Sequence, residues 1–477
     1  MSEKLHIYIS VIFILISISY SFFKWFRKGK IFHPGFIYSF VNGLLFIVFA
    51  LGQYDYLVKI HWLYYYVYAL IITFFIVGII LGENFCIKKV KDLNINNKNF
   101  WLLYITLLTY FTYLFFNLRN FSLYGAVEER FSGIAISQMN FNIFDYIIYN
   151  VVDSFIEIMS PVVFTYAFYR KKYIPIIILS LLMLVINIFT NSRTALLYSM
   201  FLIIICFYTV YNNNKKLYFY YRNKLLFLVL RKNFLNFLKK IVVIIAIILA
   251  LFVTLTYYRM TIHERYDYQK IEKNIEQYYR AEKKQSWLTV TSPFPSVNMT
   301  ITQISLYLGG TVASGGVIAR IATDTGLHTW GLRNFFVFHR ILAQLKLDGG
   351  FSNIARDNLL KVQDAAVKEI PAVGPGWFGD PGNLILDFGY IGSLVASLFT
   401  GWLVGWLYGS LCRAGIFINA IATYVFATSM FLTPAVSIFG LYLSSSISFF
   451  ALLLYLLTQK PALRYSFFEE YKTLKRK

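Results

Sequence analysis

Apolar blocks long enough to cross a membrane as helices recur along the chain, separated by short polar and charged stretches. A helix needs about 20 apolar residues to cross a bilayer, whereas the strands of a membrane barrel are about 10 residues long and alternate in polarity. The 477 residues are 58% hydrophobic and only 14% charged, with a mean hydropathy of +0.58. This composition excludes a soluble enzyme, and the pattern predicts an all-α, polytopic integral membrane protein.

We predict about eleven membrane-spanning helices. The first is followed by more basic residues than precede it and lacks a cleavage site of small residues, so we interpret it as a retained helix rather than a signal peptide. The predicted spans lie at 5–23, 35–52, 61–82, 101–117, 143–169, 174–190, 194–211, 241–257, 384–408, 417–436 and 438–458.

Basic residues are distributed unequally between the connections and predict the orientation. Lys59, Arg119 and Arg130 are the basic residues of the short connections 53–60 and 118–142. The opposite set holds 26 Lys and Arg and four acidic residues, at 24–34, 83–100, 170–173, 212–240, 409–416 and 459–477. Because Lys and Arg are retained on the cytoplasmic side, we predict the N-terminus outside and the C-terminus inside. Topology, rather than nucleic-acid binding, then explains the net charge of +22.

One connection, at 258–383, is much longer than the others. It is too apolar and aromatic for disorder, so we predict an ordered external loop. Its Gly-rich stretch 304–322 is interpreted as a re-entrant or interfacial helix rather than a span. The stretch 352–370 is predicted to be an amphipathic helix with Ser352 as N-cap and Pro371 as stop. The predicted domains are a transmembrane bundle at 1–257, this loop at 258–383, further spans at 384–458 and a basic cytoplasmic tail at 459–477.

Arg193 is the first candidate for chemistry. It lies in the turn Asn191-Ser192-Arg193-Thr194, just before an inward-running span. The free N–H groups and partial positive charge of that helix N-terminus, together with the guanidinium, favour an anion near the outer interface. The alternative is that Arg193 only reaches lipid headgroups.

Acidic residues within predicted spans are costly and usually face a cavity or a partner. Asp153 and Glu157 are four residues apart and therefore share one helix face near the membrane midplane. The alternative is a pair of protonated acids hydrogen-bonded inside the bundle. Asp387 is expected in the first turns of an inward-running helix, where either a capping or a functional role fits.

The external loop supplies arginines and candidate general bases. Arginine forks suit phosphate and aromatic faces suit sugar rings, although any single Arg is equally a surface charge and any lone His a structural residue. An attacking hydroxyl needs a nearby Asp, Glu or His to accept its proton. We find no metal-ligand cluster, P-loop or dinucleotide fingerprint, so no cofactor is expected. The candidates are Arg259, Arg320, Arg333 and Arg340 for an anion, and Asp324, His328, His339 and Asp380 as bases.

Several short motifs match the pattern of one known family. They are the turn Asn191-Ser192-Arg193-Thr194, the loop motifs Tyr307-Leu308-Gly309-Gly310 and Thr329-Trp330-Gly331, and Asp387-Phe388-Gly389-Tyr390-Ile391-Gly392. With the layout of spans, late external loop and basic inner loops, the chain resembles the Wzy-type oligosaccharide repeat-unit polymerases of O-antigen and capsule synthesis. It departs from many relatives at Trp377-Phe378-Gly379-Asp380, where they carry Asn-x-Tyr-Thr.

The resemblance implies a membrane glycosyltransferase similar to GT-C-like enzymes, acting on the outer face of the bacterial inner membrane. It would transfer the growing chain from undecaprenyl diphosphate to a hydroxyl of the next lipid-linked repeat unit, without nucleotide sugar or metal. Arg193, with Arg259, Arg320 or Arg333, would stabilise the diphosphate leaving group. The implied partners are the lipid-linked donor and acceptor, membrane lipid and a chain-length regulator.

Other functions remain open. An O-antigen ligase would transfer finished polymer to the lipid A core, so its loss would leave lipid-linked polymer, whereas loss of a polymerase leaves single repeat units. A lipid-linked oligosaccharide flippase would show repeat symmetry, short external loops and a charged central cavity. A signalling or structural membrane protein is a further alternative.

Replacement of Arg193 by Ala is expected to abolish polymer, because the diphosphate would lose a positive charge at the outer interface. Membrane insertion should be unchanged. Polymer on gels and protein in the membrane fraction measure the two effects. Polymer of unchanged length and yield would remove Arg193 from the site.

Overall fold

In the computed structural model of the protein, the described residues are mostly α-helical, with one two-stranded sheet. The structure describes residues 3–27, 29–87, 90–119, 143–189, 193–216, 273, 276–284, 295–334, 339, 342, 347–373, 378–433 and 443–459. The elements are α1 (Glu3–Ser21), α2 (Pro34–Leu51), β1 (Tyr54–Tyr56), α3 (Trp62–Asn84), α4 (Asn97–Arg119), α5 (Ile143–Tyr169), α6 (Tyr173–Phe189), α7 (Arg193–Lys216), β2 (Ala281–Lys283), α8 (Pro295–Thr325), α9 (Phe351–Glu369), α10 (Gly379–Leu411), α11 (Ile416–Phe431) and α12 (Leu443–Thr458).

Helices occupy ten of the eleven stretches predicted as spans, and the stretch 241–257 lies outside the described residues. Within the described part of the chain, five helices are long and apolar enough to cross a membrane, at Glu3–Phe26, Pro34–Leu51, Trp62–Asn84, Ile304–Thr325 and Gly379–Leu411. The protein is therefore an all-α, multi-pass membrane protein, while the number of eleven spans stays a prediction.

The chain divides into two compact units that interleave in sequence. The first comprises Met1–Lys89, His263–Ser410 and Phe426–Lys477, and the second comprises Val90–Ile262 and Leu411–Val425. The long connection 258–383 therefore lies mainly in the first unit, with α1, α2, α3 and α10. The division at 257/258 and 383/384 that the sequence suggested stays a prediction.

In the first unit, α3 and the second part of α10 pack at very short range. Gly78 and Gly82 of α3 face Gly401 and Gly405 of α10, and a Cβ on Gly78 would lie 2.2 Å from the carbonyl oxygen of Leu398. Small residues at such contacts let helices in membranes approach closely, since dispersion forces between tightly packed backbones replace the hydrophobic effect there.

Helix α10 is broken at Gly389, whose φ of 69° lies in the left-handed region that favours glycine. After the break the chain runs parallel to α3. The ring of Tyr390 lies 6.2 Å from the ring of His61 at the start of α3, and the Ser397 hydroxyl donates to the Ile71 carbonyl at 2.7 Å.

The part of α10 before the break, residues 379–388, is called the re-entrant segment here because it runs in the opposite direction. The Asp380 amide donates to the Thr433 carbonyl at 2.8 Å, and the Thr433 hydroxyl accepts from Asn42. The Asn42 carbonyl in turn accepts from Tyr68, which lies roughly 9 Å along α3 from its first residue. The segment thus begins at depth within the helices and returns to the end where α3 begins. The sequence predicted one continuous helix over 384–408, and this prediction was wrong because the chain reverses at Gly389.

At the far end of α3, His33 joins the α1–α2 connection to α3. Its Nδ1 accepts from the Gly35 amide, which fixes the neutral tautomer, and its Nε2 donates to Glu83 at 2.9 Å. Nearby, the Ile87 amide donates to the Ser410 hydroxyl at 2.9 Å. Connections that the charge pattern assigns to one side of the membrane therefore meet at one end of this unit.

At the opposite end, the α2–α3 connection pairs β1 with β2 in an antiparallel sheet, which the sequence pattern did not predict. Helix α8 packs against this connection. The Tyr64 hydroxyl donates to the Val312 carbonyl at 3.1 Å, and Gly316 lies against Ile60. The helix is longer than the predicted 304–322 and begins at Pro295.

Helix α9 ends before Pro371, as predicted, but its capping differs from the prediction. The N-cap is Gly350, with a φ of 88°, and not Ser352. The Asp348 carboxylate accepts from the amides of Gly350 and Ser352 at 3.2 and 3.1 Å. The nearby Ser352 side chain, followed by these two amides, lowers the pKa of Asp348. The Ser352 hydroxyl instead donates to the His339 carbonyl, which ties the helix to the preceding loop.

The second unit contains α4 to α7 and the start of α11. The Asp92 carboxylate accepts from the Ile418 amide at 3.1 Å and so caps α11. The Tyr166 hydroxyl at the end of α5 donates to Asn97 at the start of α4 at 2.6 Å. As in the first unit, connections predicted on one side of the membrane meet at one end.

Gly78→Ala is expected to destabilise the protein, although Ala in a helix is normally favoured over Gly by about 1 kcal/mol. Its Cβ would lie 2.2 Å from the Leu398 carbonyl oxygen and 2.8 Å from the Trp402 nitrogen. Overpacking of this kind costs about 1–3 kcal/mol, so the melting temperature in detergent should fall. The exposed neighbour Val77→Ala is the control and should change it little. A higher melting temperature for Gly78→Ala would contradict the close contact.

Candidate functional site

A buried carboxylate, Asp387, organises the loop that follows α8. One of its oxygens accepts from the Thr329 hydroxyl and from the Arg333 amide at 3.1 Å. The other accepts from the amide and the side-chain nitrogen of Asn334, at 2.8 and 2.7 Å. Four donors on a fully buried carboxylate compensate for its loss of hydration, and they fix residues 329–334 against α10.

The break in α10 supplies further bonds to the same loop. In an unbroken helix the carbonyls of Leu386 and Asp387 would accept from the amides four residues later. Here they accept from the amides of Thr329 and Trp330, at 3.2 and 3.0 Å. The loop therefore caps the C-terminal end of the re-entrant segment. The prediction that Asp387 lies in the first turns of an inward-running helix was wrong, because it lies just before the break at Gly389.

Arg333 extends from this loop towards the N-terminal turns of the re-entrant segment. Its Nε donates to the Asn383 side-chain oxygen at 3.0 Å, and its guanidinium carbon lies 5.1 Å from the centre of the Phe378 ring. The side-chain amide nitrogen of Asn383 is buried and has no hydrogen-bond partner among the residues that the structure describes.

The cluster brings a buried guanidinium close to a buried carboxylate. Burial lowers the pKa of Arg333 below its ordinary value and the charge of Asp387 opposes that shift, so the guanidinium stays positive at neutral pH. The N-terminal turns of the re-entrant segment add a partial positive charge. Arg333, Asn383 and Asp387, with Thr329 and Asn334, are called the Arg333 cluster below.

Asp380, a predicted general base, lies at the deep end of the re-entrant segment. It is almost fully buried and accepts from the Tyr38 hydroxyl at 2.6 Å. The Tyr38 ring in turn lies 3.9 Å from the ring of Phe75 in the middle of α3. This position suits an intramembrane acid better than a group that meets substrate at the surface.

His328 is the predicted base that lies beside the break. Its Nδ1 donates to the Leu386 carbonyl at 3.2 Å, so the neutral ring presents Nε2 as an acceptor. Asn358 donates to its carbonyl at 2.9 Å. The ring lies beside Gly389, where a Cβ would make an ordinary van der Waals contact at 3.5 Å from Nε2.

Arg320 and Asp324, predicted to bind an anion and to act as a base, form an ion pair with each other at 3.6 Å. Arg320 also donates to both oxygens of Glu369 at 2.5 Å and to the Lys59 carbonyl at 3.0 Å. These bonds tie α8 to α9 and to the α2–α3 connection, so the geometry favours a structural role for Arg320.

The other predicted site residues belong elsewhere or are not described. Arg193 is the first residue of α7, as the predicted helix N-terminus requires, and its side chain lies outside the described part. Asp153 and Glu157 both lie on α5, Glu157 partly buried, in the second unit. Arg259 and Arg340 lie outside the described residues.

Sequence reasoning did not single out Thr329, Asn334 or Tyr38 as site residues. For Thr329 the sequence did hold a signal, because Thr329 belongs to one of the motifs that carry the family resemblance. In the structure this motif, Thr329-Trp330-Gly331, contacts a second one, Asp387-Phe388-Gly389, directly. No spacing rule predicts the bond from Tyr38 to Asp380, since the two are far apart in sequence.

In the part of the chain that the structure describes, no group of three or more His, Cys, Asp and Glu residues is placed to hold a metal ion. Comparisons of the chain with protein-family models, curated proteins and solved structures give no match, so the resemblance to the repeat-unit polymerases rests on the motifs and the layout of the chain.

Proposed function

We propose that this protein is a membrane glycosyltransferase that polymerises undecaprenyl-diphosphate-linked oligosaccharide repeat units into O-antigen or capsular polysaccharide. The observation that carries the proposal is the Arg333 cluster. A guanidinium and an unpartnered amide nitrogen lie together at the N-terminal turns of a broken membrane helix. All three features favour the same ligand, a membrane-bound anion.

The anion in this reaction would be the diphosphate of the donor. The acceptor hydroxyl attacks the anomeric carbon of the donor sugar, a new C–O bond forms, and the bond to the diphosphate oxygen breaks. Negative charge then grows on the leaving undecaprenyl diphosphate. Arg333 would stabilise that charge, and the low-polarity surroundings strengthen the effect because water screens it less.

The acceptor proton needs a base, and His328 is the best placed of the predicted candidates. Its Nε2 is an acceptor in the neutral ring, and its neighbour Leu386 belongs to the same segment as Asp387. Asp387 is less suited, because all its bonds in the cluster come from donors that hold the loop. We assign Asp387 the role of positioning Arg333.

The proposal includes the finer parts of the architecture. We propose eleven spans in a GT-C-like arrangement, with the N-terminus outside, the C-terminus cytoplasmic and residues 258–383 on the outer face of the bacterial inner membrane. The basic connections that meet at one end of each unit support this arrangement. The lipid-linked donor and acceptor, and a chain-length regulator, are the proposed partners.

One observation favours a second candidate, a lipid-linked oligosaccharide transporter. Transporters often bind anionic substrates at the N-terminus of a discontinuous helix near the midplane, and the re-entrant segment begins at depth with the buried Asp380. Gene deletion separates the two functions. Loss of a polymerase leaves single repeat units on the outer face, whereas loss of a transporter leaves them on the inner face.

Arg333→Gln is expected to lower the rate of polymerisation by about 100-fold, the usual effect of removing one donor that stabilises transition-state charge. Arg333→Lys should retain only part of the activity, because the ammonium keeps the positive charge but lacks the several planar N–H donors of the guanidinium. Elongation of lipid-linked repeat units in proteoliposomes measures both. Arg356→Gln, an exposed arginine of α9, is the control and should elongate normally. Equal activity of Arg333→Gln and the control would refute the proposed role.

Asp387→Asn is expected to lower activity through Arg333, because an amide nitrogen would face donors that now bond to a carboxylate oxygen. If Asp387 acts only by positioning Arg333, the double variant with Arg333→Gln should be no slower than Arg333→Gln alone. The same elongation assay and the melting temperature of each variant measure this. Independent, multiplying losses would assign Asp387 a separate role.

A further inference from the structure

Five large apolar side chains form an exposed surface between the Arg333 cluster and the start of α9. Exposed fractions reach 52% for Trp330, 70% for Leu347 and 58% for Ile354. Single exposed hydrophobic residues need no explanation, but contiguous groups of them mark contact surfaces. We call this group the apolar patch, and its members are Trp330, Leu342, Leu347, Phe351 and Ile354.

Hydrogen bonds and ring contacts hold the patch together. The His339 ring stacks on Phe351 with centroids 5.8 Å apart, and its Nε2 donates to the Trp330 carbonyl at 3.1 Å. The Leu347 amide donates to the Leu342 carbonyl at 2.9 Å. These contacts connect Trp330 to Phe351 through His339, and Leu342 to Leu347.

Trp330 itself has a costly backbone conformation. Its φ of 50° is unusual for a bulky residue, and such strain persists only where surrounding bonds enforce it. Here its amide donates to the Asp387 carbonyl, and its carbonyl accepts from His339. The backbone is thus held on both sides while the indole is exposed.

The patch lies at the level where a lipid-facing surface begins. Ile391, Val395 and Phe399, at helical spacing on the second part of α10, are all more than half exposed on a candidate membrane span. This stripe starts two residues after Gly389, which borders His328. In membrane proteins the level at which a lipid-facing stripe begins corresponds to the membrane–water interface, where Trp is enriched.

We propose that the apolar patch docks onto the bilayer interface at the end of the first unit where α3 begins, which places the first turn of α9 at the headgroup level. Trp, Phe, Leu and Ile are the residues that interfacial helices bury at that level. The exposed Lys361, seven residues after Ile354, lies on the same face of α9 beyond the patch, and the exposed Arg356 lies on another face. The proposal does not depend on the enzymatic function.

Spin labels on the apolar patch and on α9 test this directly. Single cysteines replace Leu347, Ile354 and the control Leu360, which is also exposed but lies about 120° around the helix from Ile354. The background is Cys412→Ser, since Cys86 and Cys206 are buried. In vesicles of phosphatidylethanolamine and phosphatidylglycerol, collision with oxygen, which concentrates in the bilayer, is compared with collision with a water-soluble nickel chelate.

Collisions with oxygen should exceed those with the nickel chelate at positions 347 and 354, and the reverse should hold at 360. The logarithm of the ratio of oxygen to nickel accessibility should therefore be positive at 347 and 354 and negative at 360. Nickel access at 354 equal to that at 360 would overturn the proposal. Low access to both reagents with dipolar broadening would also overturn it and indicate a second copy of the chain. As a second measurement, Trp330→Phe should reduce the fluorescence that brominated lipids quench.

Discussion

The buried carboxylate of Asp387 is the interaction on which this end of the first unit depends. An unpaired carboxylate at this position would be too costly to bury, so the loop after α8 must bring its amides and polar side chains to it. Those bonds determine where Arg333 lies, and the Trp330 amide that caps Asp387 determines where the apolar patch begins. One buried charge thus couples the Arg333 cluster to the proposed lipid contact.

Gly389 allows a membrane helix to break at the point where the loop after α8 binds. A bilayer allows irregular backbone only where protein supplies the missing hydrogen bonds, and here the amides of Thr329 and Trp330 supply them. A residue with a side chain would be strained at a φ of 69°. The break reverses the chain direction, so the positive end of the re-entrant segment lies at depth and Arg333 reaches towards it.

The sequence predicts the helices well because periodicity and length are local properties of an apolar chain. Two of the resemblance motifs contain Thr329 and Asp387, and the structure brings these residues into contact. Three features could not be predicted. The reversal at Gly389 depends on one backbone angle within an otherwise continuous apolar run, the cap of α9 passes to Asp348 because Ser352 bonds to His339, and Arg320 is paired through Glu369, a residue distant in sequence.

These contacts also explain why arginine count alone is a poor guide to the site. Arg320 and Arg333 both belong to the stretch 258–383, and composition cannot separate them. Arg320 forms ion pairs with two carboxylates, whereas the Arg333 Nε donates to a neutral amide oxygen, and the carboxylate whose charge acts on Arg333, Asp387, already accepts four hydrogen bonds. An anionic lipid headgroup drawn into low-polarity surroundings requires a partner of the second kind, since a neutralised guanidinium offers little to offset the loss of hydration.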